Sequence, residues 1–197
     1  MNAEEYKSDL KSLSTEEIYN KYVIGGDIWF FKHKFGDSWY DKYNSFKIFI
    51  SQKLGVHYND IAIAGSAKLG FSINPKKNFK CFDKASDIDI IIISQEYFYL
   101  FWDSYRRDSY NLIKTKIGFH LVCFSIFRKY LTLEGFDTSN PDYAKWLKKT
   151  QGFEKELQLD FEIENDINYR IFESWNAAKE YYMHSIERTK EAQYENF

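Results

Sequence analysis

Cysteine is nearly absent: Cys81 and Cys123 are the only two in 197 residues. They are too few and too far apart for a cysteine-built metal site or the disulfide framework of a small secreted domain, so they read as free thiols in a reducing compartment. Nor is charge of either sign in excess. The 27 Lys and Arg stand against 29 Asp and Glu, a net charge of −2, which excludes a global field drawing the protein onto nucleic acid or an anionic membrane. Any attraction for phosphate must be local. Apolar runs of membrane-spanning length are lacking too. The opening residues Met1-Asn2-Ala3-Glu4-Glu5-Tyr6-Lys7 are acidic and polar where a signal peptide is basic and then apolar, so a cytoplasmic protein without membrane attachment is expected. There is no internal repeat, no low-complexity tract and no evident linker.

What remains is a chain well able to fold. Hydrophobic residues make up 44% and aromatics 20%, which excludes a disordered tail, and 197 residues suit one domain of ordinary size. We expect a single domain over 1–197, with a core at about 37–172, an N-terminal helical segment over 1–36 and a C-terminal helix over 174–192. In the first segment, Ser14-Thr15-Glu16-Glu17 has the form of a capping box. Trp29-Phe30-Phe31 then reads as an anchor holding that segment on the core, with a base-stacking platform as the alternative. Trp39, Tyr43, Phe46 and Ile50 recur at helical spacing toward a stop at Leu54-Gly55.

Chemistry is concentrated in two apolar runs. The first, Ile61-Ala62-Ile63-Ala64, ends in Gly65-Ser66, where backbone without a Cβ can approach a ligand closely and hydroxyl and N–H donors can face phosphate oxygens. The second is Ser86-Asp87-Ile88-Asp89-Ile90-Ile91-Ile92-Ile93. Side chains on a strand alternate faces, so Asp87 and Asp89 share one face while Ile88 and Ile90 take the other. Two ionised carboxylates so close repel, and a hard divalent cation is the usual remedy. A phosphate turn beside metal-binding acids suggests phosphoryl transfer. Between the runs, Lys68 to Ala85 carries five lysines and one acid, a basic island with Lys68 nearest the turn. It reads as an irregular excursion or short hairpin that is either a solvated loop or a polyanion contact.

Further on, a helix is expected from Gln95 to about Lys114, with Phe98, Phe101, Trp102, Tyr105 and Leu112 mostly on one side. Gly118 to Phe127 is ambiguous between strand and helix, and His120 within it stands alone. Glu134 to Asp142 reads as a connection or a lid, followed by a helix from Pro141 or Asp142 to about Thr150. Leu157 to Glu164 alternates strictly and Ile167 to Phe172 is also strand-like; both could be strands, though only one need be. Ser174 caps a last helix whose buried stripe is Trp175, Ala178, Tyr182 and Ile186.

Gly65-Ser66 at the end of one strand and Asp87-Ile88-Asp89 on the next resemble the nucleotidyltransferase superfamily with the DNA polymerase beta-like fold, in its small single-domain bacterial form. The likeness covers about Ile61 to Ile93. It implies an α+β (α/β) fold, a small mixed sheet flanked by helices with extra N- and C-terminal helices. It also implies metal binding and catalysis by Asp87 and Asp89, with Mg2+ as the cofactor, and phosphate contact by Gly65 and Ser66, to which Lys68 or the lysines after it would add a cation. The activity implied is magnesium-dependent transfer of a nucleoside monophosphate from ATP or another nucleoside triphosphate to an acceptor such as an RNA end, a protein hydroxyl or a nucleotide. Stand-alone members of this type resemble toxin–antitoxin or phage-defence components. The rival expectation is a catalytically degenerate fold that binds a nucleotide or a partner. The family's third acid decides between them: Asp160 or Glu162 if Leu157 to Glu164 is the third strand, only Asn168 if it is Ile167 to Phe172.

Overall fold

The computed structural model describes residues 2–110, 119–133, 136 and 138–194. The architecture is mixed α+β, four strands in one open sheet with helices on both faces. The strands are β1 (Ile61–Ala64), β2 (Ile88–Ile93), β3 (Tyr130–Thr132) and β4 (Ile167–Phe172), in the spatial order β1-β2-β4-β3. β2 pairs antiparallel with β1 and parallel with β4, while β3 closes the other edge antiparallel to β4.

β2 is apolar on both faces after Asp89, and a strand of that kind must be covered twice. On one face Ile61, Ile63, Ile88, Ile90, Ile92 and Ile171 form a core with α3 (Trp29–Phe35), α4 (Trp39–Leu54), α6 (Gln95–Tyr110) and α8 (Pro141–Asp160). On the other, Ala64, Ile91, Ile93 and Phe172 pack with α1 (Ala3–Ser12), α2 (Thr15–Ile18), the π-helical turn Tyr19–Ile24 and α9 (Trp175–Tyr194). Each fully buried Ile or Phe in these layers is worth about 1.5–3 kcal/mol over its exposed state.

Several elements form where the sequence places them. Ser14 and Glu17 make the reciprocal capping box, Ser14 Oγ accepting from the Glu17 backbone N–H at 3.2 Å and the Glu17 carboxylate accepting from the Ser14 backbone N–H at 2.8 Å. α4 ends at Gly55, and Ala178, Tyr182 and Ile186 of α9 are buried. Phe30 and Phe31 are core residues, and the Trp29 ring lies where a Cβ on Gly70 would stand, 2.7 Å from its indole, so the aromatic cluster is an anchor. Phe119–Phe127 is helix, α7. Of the expected helix to Lys114, the part beyond Tyr110, with Leu112, lies outside the described residues, as do Gly118, Glu134, Gly135 and Asp137. Cys81 and Cys123 are free and exposed. Among the described residues no helix is long and apolar enough to cross a membrane.

Leu157 to Glu164 is not a strand. α8, capped by Asn140 and expected to end near Thr150, continues to Asp160. Its buried residues Trp146, Thr150, Phe153 and Leu157 recur at helical spacing, and Gly152 does not interrupt them. Leu157 and Leu159 would share a face of a strand, whereas on the helix they diverge: Leu157 is buried and Leu159 is exposed. The third strand next to the acids is therefore Ile167–Phe172.

Candidate functional site

β1 delivers the Gly65-Ser66 turn and β2 the acids, and their register sets Ala64 opposite Asp89. Gly65 opens the short helix α5 (Gly65–Leu69) with φ +63°, a left-handed conformation that a side chain resists. A Cβ there would also lie 2.5 Å from Asp89 Oδ2, so glycine is what allows the carboxylate to rest against the turn. Asp87 is placed from the other side. The residues before it form a turn in which Asp83 Oδ1 accepts from the Ala85 N–H at 3.1 Å and from Ser86 Oγ at 2.9 Å. The buried Asn165 donates to the carbonyls of Asp83 and Ser86 at 3.0 and 2.7 Å, tying that turn to the segment that leads into β4. Lys80 pairs with Asp83 at 2.8 Å, and hydrogen bonds from Lys80 and Ser86 hold the Asp83 carboxyl below the usual range.

The basic island forms one wall of the cleft that these residues floor. Phe71 bridges Cys81, and Phe82 N–H donates to the Gly70 carbonyl at 2.8 Å, as does Ser72 N–H to that of Lys80. The excursion is therefore a narrow hairpin-like arm, held by Phe71 and Phe79 against Tyr6 of α1 and by a hydrogen bond from Thr189 Oγ1 of α9 to the Ile73 carbonyl at 3.1 Å. Lys76 and Lys77 at its tip have no ion-pair partner among the described residues.

The cleft encloses about 1130 Å³. Gly65, Ser66, Asp87, Asp89, Asn168 and Arg170 line its floor. Arg128 and Lys129, after α7, and His184 and Arg188 of α9 line the far side, together with the aromatic side chains of Phe124 and Phe127. Seven Lys and Arg side chains meet three carboxylates in it, a local basic excess in a chain of net charge −2. Such a local excess attracts anions.

Asn168 stands beside Asp89 in the parallel register and on the floor of the cleft, the position where the sequence led us to look for a third acid. Asp160 is exposed at the end of α8, and Glu162 lies just beyond it with φ +51°, its carbonyl accepting from Lys34; neither lines the cleft. Lys68 is also away from the cleft lining. It is only 4% exposed, and burial pulls its pKa down to about 8, partly countered by the charge of Asp27.

The residue that sequence reasoning passed over is Arg170. Its Nη2 lies 3.9 Å from Asp89 Oδ1, its Nη1 donates to the Tyr181 hydroxyl at 3.1 Å, and its guanidinium carbon sits 5.1 Å from the Tyr181 ring centroid. Burial works against its charge, but the influence of Tyr182, Tyr181, Asp89 and Tyr130 prevails and it stays a cation. Burial pushes the Tyr182 phenol up, so that group is neutral at physiological pH. The signal was present: once Ile167–Phe172 is a strand, Arg170 shares the face of Asn168 by simple alternation.

Among the described residues no three His, Cys, Asp or Glu side chains gather into a metal cage. Two carboxylates supplemented by phosphate oxygens are nonetheless the donor set that magnesium commonly takes, so Asp87 and Asp89 suit an ion carried in with a phosphate ligand. No family model, curated protein or solved structure matches the chain.

Proposed function

We propose that the cleft binds a nucleoside triphosphate together with a divalent cation. The observation that carries this reading is the antiparallel register that brings the Gly65-Ser66 turn against Asp89, with Asp87 beside it, in a cleft rich in Lys and Arg. The resemblance of these residues to the nucleotidyltransferase superfamily supports it. Asp87 and Asp89 hold the cation, which neutralises phosphate charge, while Gly65, Ser66, Lys76 and Lys77 contact the phosphates. Asn168 favours holding the nucleotide over transferring it, because a neutral amide neither adds a metal-binding charge nor takes a proton from an attacking hydroxyl.

Transfer of the nucleoside monophosphate to an acceptor is the second reading, and the size of the cleft favours it. About 1130 Å³ is at the upper end of small-molecule pockets, which run to about 1,000 Å³, so an acceptor has room beside the triphosphate. Calorimetry with ATP or GTP and Mg2+ tests the first reading. Binding by the wild type and a drop of at least about tenfold in affinity in Asp87→Ala plus Asp89→Ala is the expected result, and absence of binding by the wild type overturns it. Incubation with labelled triphosphates, Mg2+ and cell extract tests the second. Labelled product that depends on Asp87 and Asp89 would establish transfer, and its absence would leave a nucleotide-binding module.

A further inference from the structure

Arg170 is an unusual residue to find on the floor beside Asp87 and Asp89. It occupies β4, one of the two central strands of the sheet, lines the cleft, and its side chain is 23% exposed. A buried guanidinium needs both counter-charge and hydrogen-bond acceptors. Arg170 has little of either. Among the groups that act on its charge, Asp89 is the carboxylate and the others are phenols. At 3.9 Å the approach to Asp89 is a proximity of charges and too long for a hydrogen bond. Nη1 is committed to Tyr181 and the group also hydrogen-bonds the neutral Tyr182 phenol, while Nε is buried and has no acceptor. The Tyr181 ring lies on one side, its centroid 5.1 Å from the guanidinium carbon.

We propose that Arg170 is a phosphate-binding cation built into the floor, standing in for one of the two metal ions that a pair of acids with a third carboxylate would hold. Its Nη2, which is too far from Asp89 for a hydrogen bond, donates to a phosphate oxygen, and the fixed positive charge does the rest. Its charge beside Asp89, with neutral Asn168 next to it on the strand, repels a second divalent cation, so the triphosphate is held by one metal at Asp87 and Asp89 and by Arg170 in place of the other.

This rests on the nucleotide reading, and the experiment separates the two. ATP binding is measured by calorimetry in Mg2+ and in EDTA for the wild type, Arg170→Lys and Arg170→Met, with melting temperatures as the control for folding, and bound Mn2+ is counted by electron paramagnetic resonance. The wild type is expected to retain measurable ATP affinity in EDTA and to bind one Mn2+ per nucleotide. Arg170→Met is expected to bind about tenfold to a hundredfold more weakly in both buffers, the scale of a hydrogen-bonded charge, and Arg170→Lys to recover part of that deficit. Equal ATP affinity in wild type and both variants, or two Mn2+ per nucleotide in the wild type, overturns the role of Arg170 while leaving nucleotide binding intact. If the wild type binds no ATP at all, the nucleotide reading fails, and titration with inorganic tripolyphosphate decides the present one. Tripolyphosphate binding by the wild type that disappears in Arg170→Met and is partly kept in Arg170→Lys upholds a phosphate site; no binding, or equal binding by all three, ends it. Should Arg170→Met not fold, Arg170→Lys and Tyr181→Phe, which removes the hydroxyl that anchors Nη1 and so loosens the position of the guanidinium, give the same reading by weakening ATP severalfold, and unchanged affinity in both refutes it.

Discussion

Gly65→Ala has two separable effects. The added Cβ meets left-handed backbone at φ +63°, a strain of about 1–2 kcal/mol. It also arrives 2.5 Å from Asp89 Oδ2, closer than the 3.0 Å that carbon side chains tolerate, so the carboxylate must retreat by about half an ångström. Gly55→Ala is the matched control. Gly55 has φ +74° as the cap of α4, but nothing stands within 4 Å of the Cβ it would gain. Both variants should melt about 2–8 °C lower than the wild type, since about 1 kcal/mol corresponds to about 2–4 °C in a domain of this length. Only Gly65→Ala should also bind nucleotide more weakly, by about tenfold to a hundredfold, the value of one charge-assisted interaction on the metal-bound phosphates. Scanning fluorimetry measures the first effect and calorimetry with ATP and Mg2+ the second. Nucleotide affinity in Gly65→Ala equal to that in Gly55→Ala would refute the placing of Asp89 in the site.

Lys68→Met should leave nucleotide affinity unchanged and stabilise the protein. The folded-state pKa of Lys68, about 8, lies below its ordinary 10.5, so the full burial penalty, up to about 3 kcal/mol, is present below pH 8. Between pH 8 and 10.5 the unfolded chain binds more protons than the folded one and wild-type stability rises toward that of the variant. Urea unfolding at pH 7 and pH 10 checks this, and a gap that does not narrow would contradict it. Replacing Lys76, Lys77 and Lys80 by Ala should weaken single-stranded RNA binding and flatten its dependence on log salt by about 0.7 for each phosphate no longer neutralised. An unchanged slope in a filter-binding assay would return the arm to the status of a solvated loop.

Local periodicity carried much of the fold. The capping box at Ser14, the stripe from Trp39 to Ile50, the strands β1 and β2 and the helix after Ser174 each follow from neighbours a few residues apart. Where two periods coincided the reading failed. Leu157, Phe161 and Ile163 are all buried, as an alternating strand would have them, yet Leu157 belongs to the helical series of Trp146 and Phe153. β3 went unseen because three residues are too few to show a period. At the site, the turn and the acid pair were legible as a motif and share one cleft in the structure. The cleft itself was not, since its walls join parts of the chain remote in sequence, such as Thr189 and Ile73. Arg170 was hidden while its segment had a rival for the third strand.

The packing of α1 and α2 against α9 bears on how the molecule is made. Tyr6, Leu10, Ile18 and Tyr22 emerge from the ribosome well before α9, but the side of the core they fill is completed by Ala178, Tyr182 and Ile186, and Lys179 reaches Glu16 at 2.6 Å. The early helices must therefore wait, with their aromatic residues uncovered, for a segment translated far later. A chain paused before Trp175 would offer chaperones an apolar surface and would still lack the side of the cleft built from α9, so the cleft reaches its finished geometry only once that helix has docked.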